Sequence, residues 1–388
     1  MKVTFLKFLV FSTLLLILSL SAPDAHAVTS RICPANPIRA GGAGFEPGGI
    51  ILTSFDRSAM WVYNIDTGRR YPLPETTPCG RHCRLSRDFR WITYFNTLTN
   101  AFNRMRVDGT GRSLVVEYAA DVEWWADGTY LIWTPGHQAY LRQENGTERE
   151  YLDVAGVISV QPGGRWGLLV EQNGEDFQRA LINLETRDMV NSGISDGHVD
   201  LGIDRSYFNA QAWSPDGRFL AYAAPDLNTE GEILGTELFT ISPGDAQPVL
   251  RTDLISTYGR ARVNGLSVGE LSWSPDSTRI AYWVFPMSGD DPVQDAGAGQ
   301  IHVLDIRTGD NIAYCGFETA EHSPNPPRLV WSPDGTHLAF GGNVPADDRG
   351  YLLMILNLET GQFTWLSEGI FPVLGAPDVI AWGIPPGQ

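Results

Sequence analysis

The sequence predicts an all-β fold: a β-propeller of seven four-stranded blades closed by the C-terminal strand, with six blades as the runner-up. Three observations predict it. A pentapeptide recurs, WSPDG from Trp213, WSPDS from Trp273 and WSPDG from Trp331, at intervals of 60 and 58 residues. A second turn signature follows later in each unit, and the apolar segment Val379 to Ile384 stands near the C-terminus with no partner strands after it.

The pentapeptide is a turn with a mechanism. Pro presets φ near about −65°, Ser and Asp bond back to the local backbone, and Gly accepts the positive φ that closes a hairpin. The strand before it ends on Trp, and a short β-rich run follows, such as FLAYAA from Phe219 or RIAYWVF from Arg279. The second signature reads YNIDTG from Tyr63, INLETR from Ile182, LDIRTG from Leu304 and LNLETG from Leu356. Four strands per unit at a period of roughly 50 residues is the pattern of a propeller blade. Weaker copies of the first hairpin start at Phe45, Ser86, Trp125 and Gln161, which places inner hairpins near residues 48, 88, 127, 163, 216, 276 and 334. Val379 to Ile384 is expected to join the strands near Ile50, Trp61 and Tyr71, because a terminal blade built from both chain ends removes free strand edges.

The WSPDG hairpin and the L-D-x-x-T-G turn resemble the WD-like (WD40-like) propeller repeats of the TolB family, from about residue 40 onward. That resemblance implies a ring serving as an extracytoplasmic binding platform. Related rings cap prolyl oligopeptidases or form sugar lyases. Two departures are evident. No separate α/β domain precedes the repeats, so Pal binding and Tol-complex assembly are not carried over, and no hydrolase domain follows them.

The domain reading is a cleaved signal peptide at 1–27, an N-terminal extension at 28–44 and one propeller at 45–388. Lys2 and Lys7 flank the start of an apolar run to about Leu20, and Ala25-His26-Ala27 supplies a small-x-small cleavage site. The run is shorter than the roughly 20 residues of a membrane span. The expected setting is therefore secreted or periplasmic, with no membrane span after cleavage. A formal net charge of −17 argues against nucleic-acid partners. Of the four cysteines, Cys33, Cys79, Cys83 and Cys315, the close pair Cys79 and Cys83 in CGRHC is a candidate disulfide, although three connectivities are open.

Catalytic and metal signatures are weak. Gly265 to Gly269 matches G-x-S-x-G around Ser267, but a strand and hairpin follow where a nucleophile elbow needs a helix. The acidic stretch at Asp290, Asp291 and Asp295 lacks the order of a calcium loop. His137, His198, His302, His322 and His337 fall in different units, and Asn145-Gly146-Thr147 reads as a hairpin turn as well as a sequon. No cofactor or metal is called.

Alternating strand direction puts the short hairpins on one face and the longer connections on the other. Long loops on a rigid scaffold are common carriers of binding residues. The candidates are Asp196, His198, Asp200 and Tyr207 from one connection, Tyr258, Arg260 and Arg262 from a second, Asp290, Asp291 and Asp295 from a third, and His322 from a fourth. Aromatic and Arg residues together suit an extracytoplasmic protein or glycan partner. The expected function is a non-catalytic binding or assembly platform; the alternative is a propeller enzyme, a lyase or hydrolase acting on extracellular carbohydrate.

Overall fold

The computed structural model describes residues 29–388 except 55–58, 75, 77–81, 137, 144–147, 153–156, 174–175, 191–194, 199–209, 228–232, 246, 265–270, 290, 292–293, 320–325, 344–350, 368–377 and 388. Residues 1–27, read from sequence as a signal peptide, the G-x-S-x-G segment and Asn145-Gly146-Thr147 lie outside the described residues. Nearly all regular structure is β, interrupted by the short helix Leu254–Tyr258. No helix among the described residues is long and apolar enough to cross a membrane.

The strands form small, mostly antiparallel sheets that follow one another along the chain. The terminal sheet runs Asp378–Gly383, Ile50–Ser54, Trp61–Asn64, Arg69–Pro72, so the last strand of the chain pairs with an early one, Ile51 opposite Trp382. Four-stranded sheets at 84–117 and 121–152 and a five-stranded sheet at 157–198 come next. A ten-stranded sheet holds two antiparallel runs, 211–250 and 272–319, bridged by Ala261–Val263, which pairs with both. The final sheet spans 330–367.

Apolar side chains alternate along these strands and bury their two faces against neighbouring sheets. Leu52 and Val62 pack with Ile92 and Met105, Phe102 with Ile132 and Tyr140, and Leu131 and Leu141 with Leu169 and Ile182. Leu168 and Leu181 meet Leu220 and Tyr222, Ala223 and Leu238 meet Ile280 and Tyr282, and Trp283 and Ile301 meet Phe340 and Met354. Leu353 and Ile355 cluster with Ile51 and Trp382 of the terminal sheet.

Tryptophan adds a directional bond to this packing. Trp331 Nε1 donates to the carbonyl of Ser272 at 2.9 Å, Trp273 Nε1 to that of Ala212 at 3.0 Å, and Trp124 Nε1 to that of Arg84 at 2.9 Å. In each case a Trp at the end of one innermost strand reaches the innermost strand of the preceding run. The Arg279 guanidinium lies 5.0 Å over the Trp331 ring and donates to the Gly335 carbonyl at 2.6 Å, tying the same two runs at the hairpin end.

Residues 28–44, read from sequence as an extension outside the propeller, carry two further strands. Thr29–Ile32 pairs in parallel with Asn311–Tyr314, and Ile38–Ala40 with Phe363–Trp365. Between them Cys33 is disulfide-bonded to Cys315, 282 residues away. Phe363 N donates to Pro37 O at 2.7 Å, and the Gln362 amide donates to Asn36 O at 2.9 Å. Cys83 is also disulfide-bonded, while Cys79, its candidate partner, lies outside the described residues.

Two outcomes test this packing. Trp331→Phe keeps the ring but orphans the Ser272 carbonyl, and should lower stability by about 1 kcal/mol in denaturant melts. Deleting residues 378–388 removes the fully buried Trp382 and the partner of Ile50–Ser54, so the melting temperature of the whole chain should fall; an unchanged Tm would show that strand to be a dispensable tail.

Candidate functional site

Chemistry-bearing side chains collect at the two ends of the sheets, and each end uses them differently. At the hairpin end the pentapeptide consumes its own polar groups. Ser214 Oγ donates to Asp216 Oδ1 at 2.7 Å, while the Arg218 and Phe219 amides donate to Asp216 and Ser214 at 3.0 Å. The same lock recurs at Ser274 with Asp276, Ser332 with Asp334, and in the degenerate copy Ser86 with Asp88. Burial opposes ionisation of Asp216, Asp276 and Asp334, yet the hydrogen bonds from Ser and from the turn amides outweigh it and hold each carboxyl below its ordinary range. Locks of successive runs also touch: the Asp216 amide donates to Ser277 Oγ at 3.1 Å. Ser277 stands where the sister copies have Gly and adopts φ +60°; that hydrogen bond offsets part of the strain an L-residue meets there.

A cleft of about 470 Å³ opens at this end between the 272–319 and 330–367 runs, lined by Arg279, Asp305, Asp310, Tyr314, His337 and Glu359 among others. Much of its polar lining is already engaged. Asp305 accepts from the Arg307 amide at 2.8 Å and its guanidinium at 2.9 Å, Tyr314 donates to Leu358 O at 2.9 Å, and His337 contacts Thr336 through Nδ1 and Asn357 through Nε2.

At the opposite end the connection 251–269, read from sequence as irregular loop, is described over 251–264, where it is built from two elements. Asp253 caps the helix Leu254–Tyr258 by accepting from the Ser256 amide at 3.2 Å, and Gly259, at φ +81°, ends it. Glu237, 2% exposed, accepts from the Ile255 amide at 2.9 Å and from the Thr252 hydroxyl, so a buried carboxylate holds the helix start. The chain then enters Ala261–Val263. A Cβ at Gly235 would lie 2.0 Å from the Ala261 carbonyl oxygen, which is why only glycine fits opposite that strand.

Beneath this helix lies a polar network that the sequence reading did not single out. The Tyr258 hydroxyl sits 2.9 Å from His302 Nε2 and 3.1 Å from Gln300 Oε1. His302 Nδ1 is 3.3 Å from Asn311 Oδ1, which also accepts from the Tyr282 hydroxyl at 2.8 Å. An amide oxygen only accepts, so Nδ1 carries the proton and Nε2 is an acceptor; the single Tyr258 hydroxyl proton is shared between His302 Nε2 and Gln300 Oε1. His302 and Asn311 are fully buried. Burial pushes His302 down to about 4, with the nearby Arg31 acting in the same direction and the Asn311 bond opposing; burial, then Glu237 and Tyr258, push Tyr282 well above its ordinary value. The trace in sequence was a single polar residue inside the apolar alternation Ile301, Val303.

The structure brings two of the four candidate connections together. Met287 N donates to Arg260 O at 2.9 Å, and Ala261 pairs with Pro286, which stitches 251–264 to 286–299. In the second of these, Met287 bridges Ala296, Asp295 Oδ2 accepts from the Asp291 amide at 2.8 Å, and Asp291 Oδ1 accepts from the Gln294 amide at 2.9 Å. These carboxylates shape their own loop. Arg260 is half-buried, whereas Arg262 is buried within Ala261–Val263 opposite Phe285. Asp196 and His198 belong to a strand of a different sheet, Ser195–His198, paired with Asp176–Asn183. Asp200, Tyr207, Asp290 and His322 lie outside the described residues. Among the described residues no group of three or more His, Cys, Asp or Glu is placed to hold a metal ion.

The network makes stability depend on pH. The folded His302 binds its proton only near about 4, whereas the unfolded chain binds it near about 6.5, so the unfolded state takes up the proton first. The contribution is full above about 6.5, is lost as pH falls towards 4, and amounts to something on the order of 3 kcal/mol. Denaturant melts between pH 7 and pH 4 should show that loss, and His302→Gln should flatten it; an unchanged slope would mean that His302 is not the titrating group.

No protein-family model matches the sequence, and no curated protein matches it. Solved structures that it resembles include TolB from Acinetobacter baumannii, 14% identical over 94% of this chain and 98% of that one with a TM-score of 0.43. A functionally unknown protein from Desulfotomaculum acetoxidans is 12% identical over 87% and 99%, with a TM-score of 0.48. A putative TolB from Agrobacterium tumefaciens is 15% identical over 74% and 95%, with a TM-score of 0.43.

Proposed function

We propose that this chain is an extracytoplasmic seven-bladed β-propeller, closed by Asp378–Gly383, that acts as a non-catalytic platform for a protein or glycan partner bound at the face of long connections. The blades are the terminal sheet, the three sheets spanning 84–198, the two runs of the ten-stranded sheet, and the 330–367 sheet. Pairing of Ile50–Ser54 with the C-terminal strand, together with the apolar cluster joining Leu353 to Trp382, supports the closure. The leader at 1–27 supports the setting.

One observation carries the choice of face. The connections 251–264 and 286–299 are fixed to each other and to the scaffold, so they present Arg260 beside the exposed Thr257, Ser288 and Gln294 as a preformed surface, backed by the half-buried Tyr258 whose hydroxyl turns inward to His302. Preorganised loops lose little entropy on binding, and Tyr and Arg are the side chains that most often anchor interfaces. The hairpin face spends its polar groups on turn geometry.

The test uses the purified chain against a glycan array and against a cross-linked envelope or culture-medium extract. Whatever binds the native protein is then measured against Arg260→Glu with Gln294→Arg, and separately against the hairpin-face variant Glu359→Lys. Both variants should stay folded, since surface changes usually cost within about 0.5 kcal/mol. The first should weaken binding by about 1 to 4 kcal/mol and the second should leave it unchanged. The reverse pattern would move the site to the hairpin face.

A further inference from the structure

Residues 29–40 lie along the outer edges of two sheets, yet their contacts reach inward to the candidate binding face. Thr29 Oγ1 accepts from Asn311 Nδ2 at 3.4 Å and lies 3.3 Å from Thr257 Oγ1, whose hydroxyl also reaches Asp253 O at 3.1 Å. Asn311 is the residue whose other amide atom meets His302 and Tyr282, and His302 in turn meets Tyr258. Thr257 and Tyr258 belong to the helix that carries the face. A continuous polar path therefore runs from the N-terminal strap through Asn311 and His302 to Tyr258, with a second link from Thr29 directly to the helix.

We propose that the strap is the ordering element of that face: anchored by the Cys33 to Cys315 disulfide, it holds Asn311 and Thr257, and through them fixes the helix Leu254–Tyr258 in its docked position. Thr29, Asn311 and His302 are positioning residues, acting through Tyr258 without touching the partner themselves. The proposal rests on the reading of this face as the binding surface for its functional meaning.

The physical reason is cooperativity. A five-residue helix has too few internal hydrogen bonds to persist alone, so its order comes from what it docks on. Glu237 and Asp253 satisfy its first amides. At the far end the Tyr258 hydroxyl meets His302 and Gln300, and the Thr257 hydroxyl meets Asp253 O and Thr29 Oγ1, so each side chain has one link that leads to the strap. The strap itself is short, Thr29–Ile32 and Ile38–Ala40, and two such strands at a sheet edge are weakly held unless tethered. The disulfide supplies the tether by keeping the strap next to Asn311–Tyr314 when its strand pairing opens.

Hydrogen–deuterium exchange on the full chain tests this. In Cys33→Ser with Cys315→Ser, amides at 29–40 should exchange faster, and those at 254–263 should follow by about tenfold while the 84–152 sheets keep their protection. Thr29→Val keeps the strap and disulfide but removes the hydroxyl, and should raise exchange at 254–258 alone. Faster exchange confined to 29–40 in the double variant, with no change at 254–258 in Thr29→Val, overturns the proposal. If the double variant loses protection everywhere, Thr29→Val decides by itself: a rise at 254–258 supports the path and none refutes it. The measurement needs no partner, so its outcome is separate from whether the face binds one.

Discussion

Burying the indole N–H of the tryptophan that ends the first strand of a run is costly without an acceptor, and for Trp124, Trp273 and Trp331 the acceptor belongs to the preceding run. Each reaches a backbone carbonyl one run back. One such bond is worth about 1 kcal/mol net, but its direction matters more than its size. It sets the rotation of each sheet against the one before it, and side-chain interdigitation then follows. The Trp382 indole instead finds its acceptor within its own sheet, donating to Gly48 O at 2.8 Å just before the paired strand Ile50–Ser54. Trp213 is the exception, a buried indole with no acceptor among the described residues. The innermost strand before it, Val157–Val160, changes register between Val157 and Ser159.

A scaffold made of such sheets leaves outer strand edges to manage. Arg69–Pro72 exposes Arg69 and Arg70 and ends on Pro, which blunts that edge. The outer strands of the 272–319 and 330–367 runs are instead covered by the strap in parallel pairing, and the disulfide closes that arrangement over 282 residues of chain. A loop of that length removes more unfolded-state entropy than a local bridge would, and it does so across the segment that must return to the terminal sheet.

What was legible in the sequence was local. Pro, Asp and Gly at fixed offsets determine a turn by sterics and short-range hydrogen bonds, so Ser214 to Gly217 could be read as a hairpin, as could the copy at Ser86 even with Phe89 at φ +60°. Strands of two residues, such as Arg84–Leu85, leave no periodicity to read. Parallel pairing of Thr29 with Asn311 has no local signature, which is why 28–44 looked like an extension and the cysteine connectivity stayed open. The connection 251–264 did carry an N-cap Asp and a terminal Gly, but five helical residues show no apolar period. Of the candidate contacts, Tyr258, Arg260, Asp291 and Asp295 fall on neighbouring connections because strand direction alone sends them to one end. Arg262 was misplaced because the small strand that buries it depends on Gly235, outside the connection itself.

The buried polar groups link scaffold to surface. A histidine and an asparagine inside apolar strands cost desolvation energy that an apolar pair of the same shape would avoid, and their mutual hydrogen bonds at best restore it. Their placement therefore adds little net stability over an apolar pair while His302 is neutral, and becomes a cost as the pH falls and the unfolded chain takes up the His302 proton. His302 Nε2 meets the hydroxyl of Tyr258 from the docked helix, and Asn311 gives its amide to Thr29 of the strap. Removing any one element leaves the others with unsatisfied buried groups, at about 1 to 3 kcal/mol each. Hydrogen bonds thus connect the helix Leu254–Tyr258, the central strands of the 272–319 run and the N-terminal strap in one chain of contacts.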